Sequence, residues 1–127
     1  MKIVIAHQTW EVEKVSGHDP KLYVNGEECT GTAWLAHFKI YISADLKGDR
    51  ALRTIRHEVC HAFIFSTQAV RPESWSEEDL CDFMSIYCQD ITKYSQEIYN
   101  ALFLVDRNLM DEEDELRGTP SPICPGI

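Results

Sequence analysis

Basic residues are scarce in this sequence. Its 127 residues include 12 lysines and arginines against 21 aspartates and glutamates, which gives a formal net charge of −9. Affinity for nucleic acids and for anionic membrane surfaces depends on clustered basic side chains, so we expect neither as a partner. A chain of this length is expected to form a single domain.

Long apolar runs and closely paired cysteines are also missing. No run approaches the roughly 18 apolar residues of a membrane helix, and the apolar stretch at residues 3–6 is too short for the core of a signal peptide. The five cysteines are odd in number and include no C-x-x-C pair, so a disulfide framework is not expected. These features favour a protein of a reducing compartment, the cytoplasm.

Two kinds of hydrophobic pattern fill the first 105 residues. Segments rich in β-branched or alternating apolar residues predict strands at 2–6, 9–15 and 39–42. Apolar residues at spacings of three and four then predict a helix from Asp49, a candidate N-cap, to about Thr67. A second such pattern begins after Ser76, which resembles a capping box with Asp79 in place of the usual glutamate. This pattern continues to Leu109 as one long helix or two consecutive ones. We therefore predict an α+β fold in which a small, mostly antiparallel sheet packs on the helices.

The last 22 residues have a different composition. Residues 106–117 include six acidic and two basic residues, and Gly118, Gly126 and three prolines follow. Such a segment buries too little apolar surface to fold by itself. We expect a domain at 1–105 and an acidic C-terminal tail at 106–127.

The most informative motif is His57-Glu58-Val59-Cys60-His61, an H-E-x-x-H sequence inside the first predicted helix. The spacing of four residues places both imidazoles on one side of a helix, one turn apart, so both can bind one metal ion at about 2.0–2.1 Å. Glu58 is then close to the metal and can deprotonate a metal-bound water. Random placement of the chain's histidines and glutamates gives on the order of 0.02 such matches. We expect one zinc ion per chain.

A catalytic zinc site needs a third protein ligand. The start of the second predicted helix offers three acidic candidates. Glu78 is the leading one, and Asp82 is a candidate partner for the distal nitrogen of a ligating histidine, while Asp79 and Asp82 are alternative ligands. The same carboxylates also favour a helix N-terminus electrostatically without binding any metal.

With these residues the chain resembles small zinc metallopeptidases of the kind often encoded by phages and mobile elements, which are minimal gluzincins distantly similar to the ImmA/IrrE-type peptidases. The matching stretches are 2–15, 38–42, 54–63 and 77–87. The acidic segment differs from the Glu-x-x-Ala-Asn/Asp pattern of the ImmA-like group.

The resemblance implies a peptidase whose substrate is a peptide or protein. Glu58 would take a proton from a zinc-bound water and pass it to the leaving amine, and the strand at 38–42 would offer its edge to an extended substrate. One alternative is a zinc-binding regulatory or interaction module of the same fold with little or no turnover. Another is a zinc hydrolase that acts on something other than peptides.

Overall fold

The computed structural model describes residues 1–67 and 75–104 of the chain. Short 3-10 turns at Pro20–Leu22 and Leu35–His37 and a π-helical turn at Asn100–Leu104 accompany the main elements. The predicted α+β class is confirmed. In chain order the strands and helices are β1 (Lys2–Ile5), β2 (Gln8–Val15), β3 (Tyr23–Val24), β4 (Glu27–Glu28), β5 (Gly31–Trp34), β6 (Lys39–Ser43), α1 (Gly48–Thr67) and α2 (Glu77–Tyr99).

Four strands form the main sheet in the order β1-β2-β6-β5, and β3 and β4 form a separate hairpin. The β1–β2 and β5–β6 pairs are antiparallel, and the β2–β6 pair is parallel, so the prediction of a mostly antiparallel sheet is confirmed. Ala6 and His7 link β1 to β2 with φ angles of 50° and 70°, as tight hairpin turns require. Because β6 lies between β2 and β5, the expectation that the strand at 38–42 offers a free edge to a substrate is wrong.

Helix α1 packs one face on the sheet. The apolar residues spaced at three and four along it are buried as predicted, among them Ile55, Val59 and Phe63. The helix begins one residue before the predicted start: Gly48 is its first residue, Asp49 lies in the first turn, and the amide of Ala51 donates to the Lys47 carbonyl. The prediction of Asp49 as the N-cap is therefore wrong.

Helix α2 is one continuous helix up to Tyr99, and the π-helical turn at Asn100–Leu104 follows it directly. Its start is the predicted capping box: the Ser76 hydroxyl accepts from the Asp79 amide, and the Asp79 carboxylate accepts from the Ser76 amide. The Tyr94 hydroxyl donates to the Val4 carbonyl, which fastens α2 to the sheet. The predicted domain boundary after residue 105 and the acidic tail lie outside the described residues.

The cysteines differ from expectation at one position. Cys60, Cys81 and Cys88 have free thiols, whereas Cys29 is buried and disulfide-bonded. The sequence did not predict the disulfide at Cys29, and the cysteines no longer indicate a reducing compartment. Among the described helices, none combines the length and apolar character needed to cross a membrane.

Candidate metal centre

The two motif histidines lie side by side on α1. Their ring centroids are 4.9 Å apart and their planes are inclined at 75°. Each residue is half-buried and the Nε2 atom of each ring is buried. The i, i+4 spacing therefore brings His57 and His61 together, as the motif predicts. Neutral imidazole nitrogens on adjacent turns are a donor pair that zinc commonly uses.

Glu58 points from the same helix into the protein. Its side chain is 0% exposed, and in the described part of the chain neither carboxylate oxygen has a hydrogen-bond partner. Burial raises the pKa of Glu58 from its ordinary value of 4.5 to about 8, because removal from water disfavours the charged form. A buried polar group that lacks a partner costs folding free energy. Such a cost is typical of residues retained for their chemistry.

Gly31, the first residue of β5, lies against the Glu58 side chain and leaves room for it because glycine has no Cβ atom. A Cβ atom at Gly31 would lie 2.8 Å from Cγ2 of Thr54, 3.1 Å from Cγ of Glu58 and 3.2 Å from its Oε2. Carbon atoms at such distances overlap, so any larger residue would displace one of these side chains. The closeness of β5 to α1 therefore fixes where the Glu58 carboxyl group lies.

This role of Gly31 was missed in the sequence. The available signal was a glycine directly before a strand-like segment, since a strand glycine often marks a close backbone approach. The sequence pattern predicted only the strand at 39–42 and not β5 itself, so nothing connected Gly31 with the motif helix.

The structure does not bring the acidic candidates to the histidines. Glu78, Asp79 and Asp82 are all exposed at the start of α2, and Asp79 is engaged in the capping box. At 3.6 residues per turn, Glu78 and Asp82 lie on the side of α2 opposite its buried stripe. That stripe consists of Phe83, Ile91, Ser95 and Ile98.

Across residues 1–67 and 75–104, no three His, Cys, Asp or Glu side chains are grouped closely enough to hold a metal ion. His57 and His61 thus form a two-residue donor set with Glu58 beside it. The identity of a third ligand stays a prediction.

The remaining polar residues near the motif have other roles. Tyr87 and Tyr94 pack against Phe63 at ring distances of 5.8 and 6.0 Å, and both belong to the packing around the core. Cys60 lies between the two histidines in sequence, and burial raises the pKa of its thiol. A protonated, half-buried thiol is a packing group and a poor metal ligand.

Comparison with known proteins gives no assignment, since a scan of protein-family models, a search of curated proteins and a search of solved structures each found no match. The interpretation of this centre therefore depends on its own geometry and chemistry.

Proposed function

We propose that the protein is a zinc-dependent hydrolase that cleaves peptide bonds. The observation that carries the proposal is the Glu58 carboxyl group, fully buried, without a hydrogen-bond partner in the described residues, and next in sequence to a histidine whose ring packs against His61. A structural glutamate in this position would be replaceable by an apolar residue with a gain in stability. A glutamate that transfers a proton cannot be replaced without loss of activity.

His57 and His61 are the residues that would hold the zinc ion. A zinc ion, when bound, acts as a Lewis acid on the substrate carbonyl and lowers the pKa of a bound water to about 7. A nearby positive charge also lowers the pKa of a carboxyl group. Glu58, with a pKa of about 8 in the metal-free chain, is thereby brought towards the ionised form that a general base needs.

Glu58 is then in place to move protons during hydrolysis. Its carboxylate accepts a proton from the attacking water and donates it to the nitrogen of the leaving amine, so one residue serves as base and then as acid. Water oxygen forms the new bond to the carbonyl carbon, and the carbon–nitrogen bond breaks. The close approach of Gly31 to the side chain limits where the carboxyl group can move during both transfers.

Two variants test the proposal together with the wild type. Each protein is purified without a histidine tag or chelator, analysed for its metal content, and then assayed against a mixture of quenched peptides. We expect about one zinc per chain in the wild type and in Glu58→Gln, and none in His61→Ala. Cleavage should fall at least about 100-fold in Glu58→Gln, the size of effect typical of a lost general base.

Each result that differs from these expectations would contradict a different part of the proposal. Zinc binding without any peptide cleavage would favour the alternative of a zinc-containing regulatory or interaction module. Cleavage of other classes of ester or amide, and not of peptides, would correct the substrate class. Cleavage that survives in Glu58→Gln would show that Glu58 is not the base. A wild type that takes up no zinc even when zinc is supplied would refute the centre altogether.

A further inference from the structure

Three aromatic side chains meet at the end of α1 that lies beyond the histidines. Trp10, Phe38 and Phe65 have ring centroids 5.3 to 6.3 Å apart. We call them the aromatic patch. Trp10 is fully buried, while Phe65 is 38% exposed and Phe38 is half-buried. The patch therefore has a fixed inner wall and an outer surface that reaches solvent.

The inner wall is held by a specific contact. The indole Nε1 of Trp10 donates a hydrogen bond of 2.9 Å to Oγ of Ser66, which is next to Phe65 on α1. Trp10 meets both phenylalanine rings edge-on, at interplanar angles of 87° and 88°. Edge-to-face packing is a favourable geometry for aromatic rings, so the tryptophan holds Phe38 and Phe65 in defined positions.

Phe38 has an unusual backbone. Its φ and ψ angles are 57° and 48°, the left-handed region, where it ends the 3-10 turn at Leu35–His37. A bulky residue is disfavoured in this region, and such strain is found preferentially at functional sites. The turn itself does not require a phenylalanine, because glycine adopts this backbone conformation readily.

The aromatic patch continues the row of motif residues. His57, His61 and Phe65 follow one another at intervals of four and therefore lie along one side of α1. β5 contacts the same helix, with Gly31 against Thr54 and Glu58 at one end. At the other end the 3-10 turn after β5 contacts α1, and Phe38 meets Phe65. The side of α1 that carries His57 and His61 thus continues to an exposed apolar surface at Phe65, and the buried carboxyl group of Glu58 lies next to His57.

We propose that Phe65 and Phe38 bind a large apolar side chain of the substrate, placed within two residues of the bond that is cleaved. This inference rests on the proposed peptidase function. Phe65 follows His61 by four residues, a rise of about 6 Å along the helix axis. Alternate side chains of an extended peptide are about 6.8 Å apart. An extended peptide that runs along this side of α1, with its reacting carbonyl at the histidines, therefore places a nearby side chain over Phe65.

The test separates binding from cleavage. Two blocked pentapeptides that differ only in Phe or Ala at the position after the central peptide bond are titrated into zinc-loaded Glu58→Gln protein by calorimetry. We expect the Phe peptide to bind on the order of tenfold more tightly, the effect of burying one aromatic side chain. Adding Phe65→Ala should abolish the difference, and Phe65→Leu should keep part of it. Val4→Ala is the matched control, since Val4 is an exposed apolar residue of β1 and its removal should change nothing.

The outcomes distinguish this inference from the proposed function. Thermal unfolding of each variant verifies that it is folded, and wild-type turnover is measured on the same two peptides. Preferential binding of the Phe peptide without turnover would refute the peptidase and leave the aromatic patch as a binding site. Turnover without a preference for Phe, or a preference that persists in both Phe65 variants, would overturn the assignment of the patch.

Discussion

The buried carboxyl group of Glu58 should make the stability of the metal-free protein depend on pH in a characteristic way. Its pKa is about 8 in the folded chain and 4.5 when it is in water. Below pH 4.5 the group is protonated in both states and contributes no pH dependence. Between pH 4.5 and about 8 unfolding releases a proton, so the free energy of unfolding falls by about 1.4 kcal/mol for each pH unit.

Over the whole interval this loss amounts to about 5 kcal/mol, the product of that slope and the distance between the two pKa values. Domains are stable by roughly 5–15 kcal/mol in all. The metal-free wild type should therefore be markedly less stable at pH 8 than at pH 5. Glu58→Gln keeps the shape of the side chain and removes the ionisation, so its profile should lack this slope.

The measurement is urea unfolding followed by circular dichroism, in the presence of a chelator, at pH 5, 6, 7 and 8. Other ionisable groups contribute equally to both proteins, so the quantity to compare is the difference in the free energy of unfolding between wild type and Glu58→Gln at each pH. That difference should grow by several kcal/mol from pH 5 to pH 8 in favour of the variant. Glu13→Gln, which changes an exposed glutamate of β2, should follow the wild type. A constant difference between wild type and Glu58→Gln would refute the idea that the carboxyl group is neutral and buried in the folded protein.

Two further predictions concern the neighbours of the motif. Gly31→Ala should lower turnover with zinc retained and cost about 1–3 kcal/mol of stability, because its Cβ overlaps Thr54 and Glu58. The double variant Gly31→Ala/Thr54→Ser lacks the atom nearest to the new Cβ. In that double variant stability should partly return, whereas turnover should stay low. Full activity in the Gly31→Ala protein would show that the contact does not position Glu58. Glu78→Gln should keep its zinc within about twofold of the wild type by elemental analysis, since Glu78 is exposed on the far side of α2. Loss of zinc in that variant, to the level of His61→Ala, would identify Glu78 as the third ligand.

Local patterns in the sequence predicted those features that depend on local structure. The spacing of Ile55 and Val59 identified the buried face of α1, the motif itself paired His57 with His61, and the capping box at Ser76 marked where α2 begins. Each of these depends on residues within about one or two helical turns, where the helix repeat determines which side chains are neighbours.

The features that failed depend on distant parts of the chain. The position of β6 inside the sheet follows from its pairing with both β2 and β5. The sequence of residues 39–42 does not by itself predict which strands will pair with it. Gly31 acquires its role because β5 crosses α1, a contact between segments more than 20 residues apart. The third ligand stays a prediction; the helix repeat places Glu78 and Asp82 on one face of α2, as expected, and that face is off the apolar stripe that contains Phe83.

The parallel pairing of β2 with β6 has a consequence for the order in which the molecule is assembled. The β1–β2 hairpin needs only a two-residue turn, whereas Glu11 must find Lys39, 28 positions along the chain, before β6 can take its place. Closing a loop of that length costs entropy that is recovered only after the pairing is complete. β5, and Gly31 with it, joins the sheet through β6. We therefore expect the β1–β2 hairpin to form before the central β2–β6 pairing, so that the four-stranded sheet is complete only after this long loop has closed.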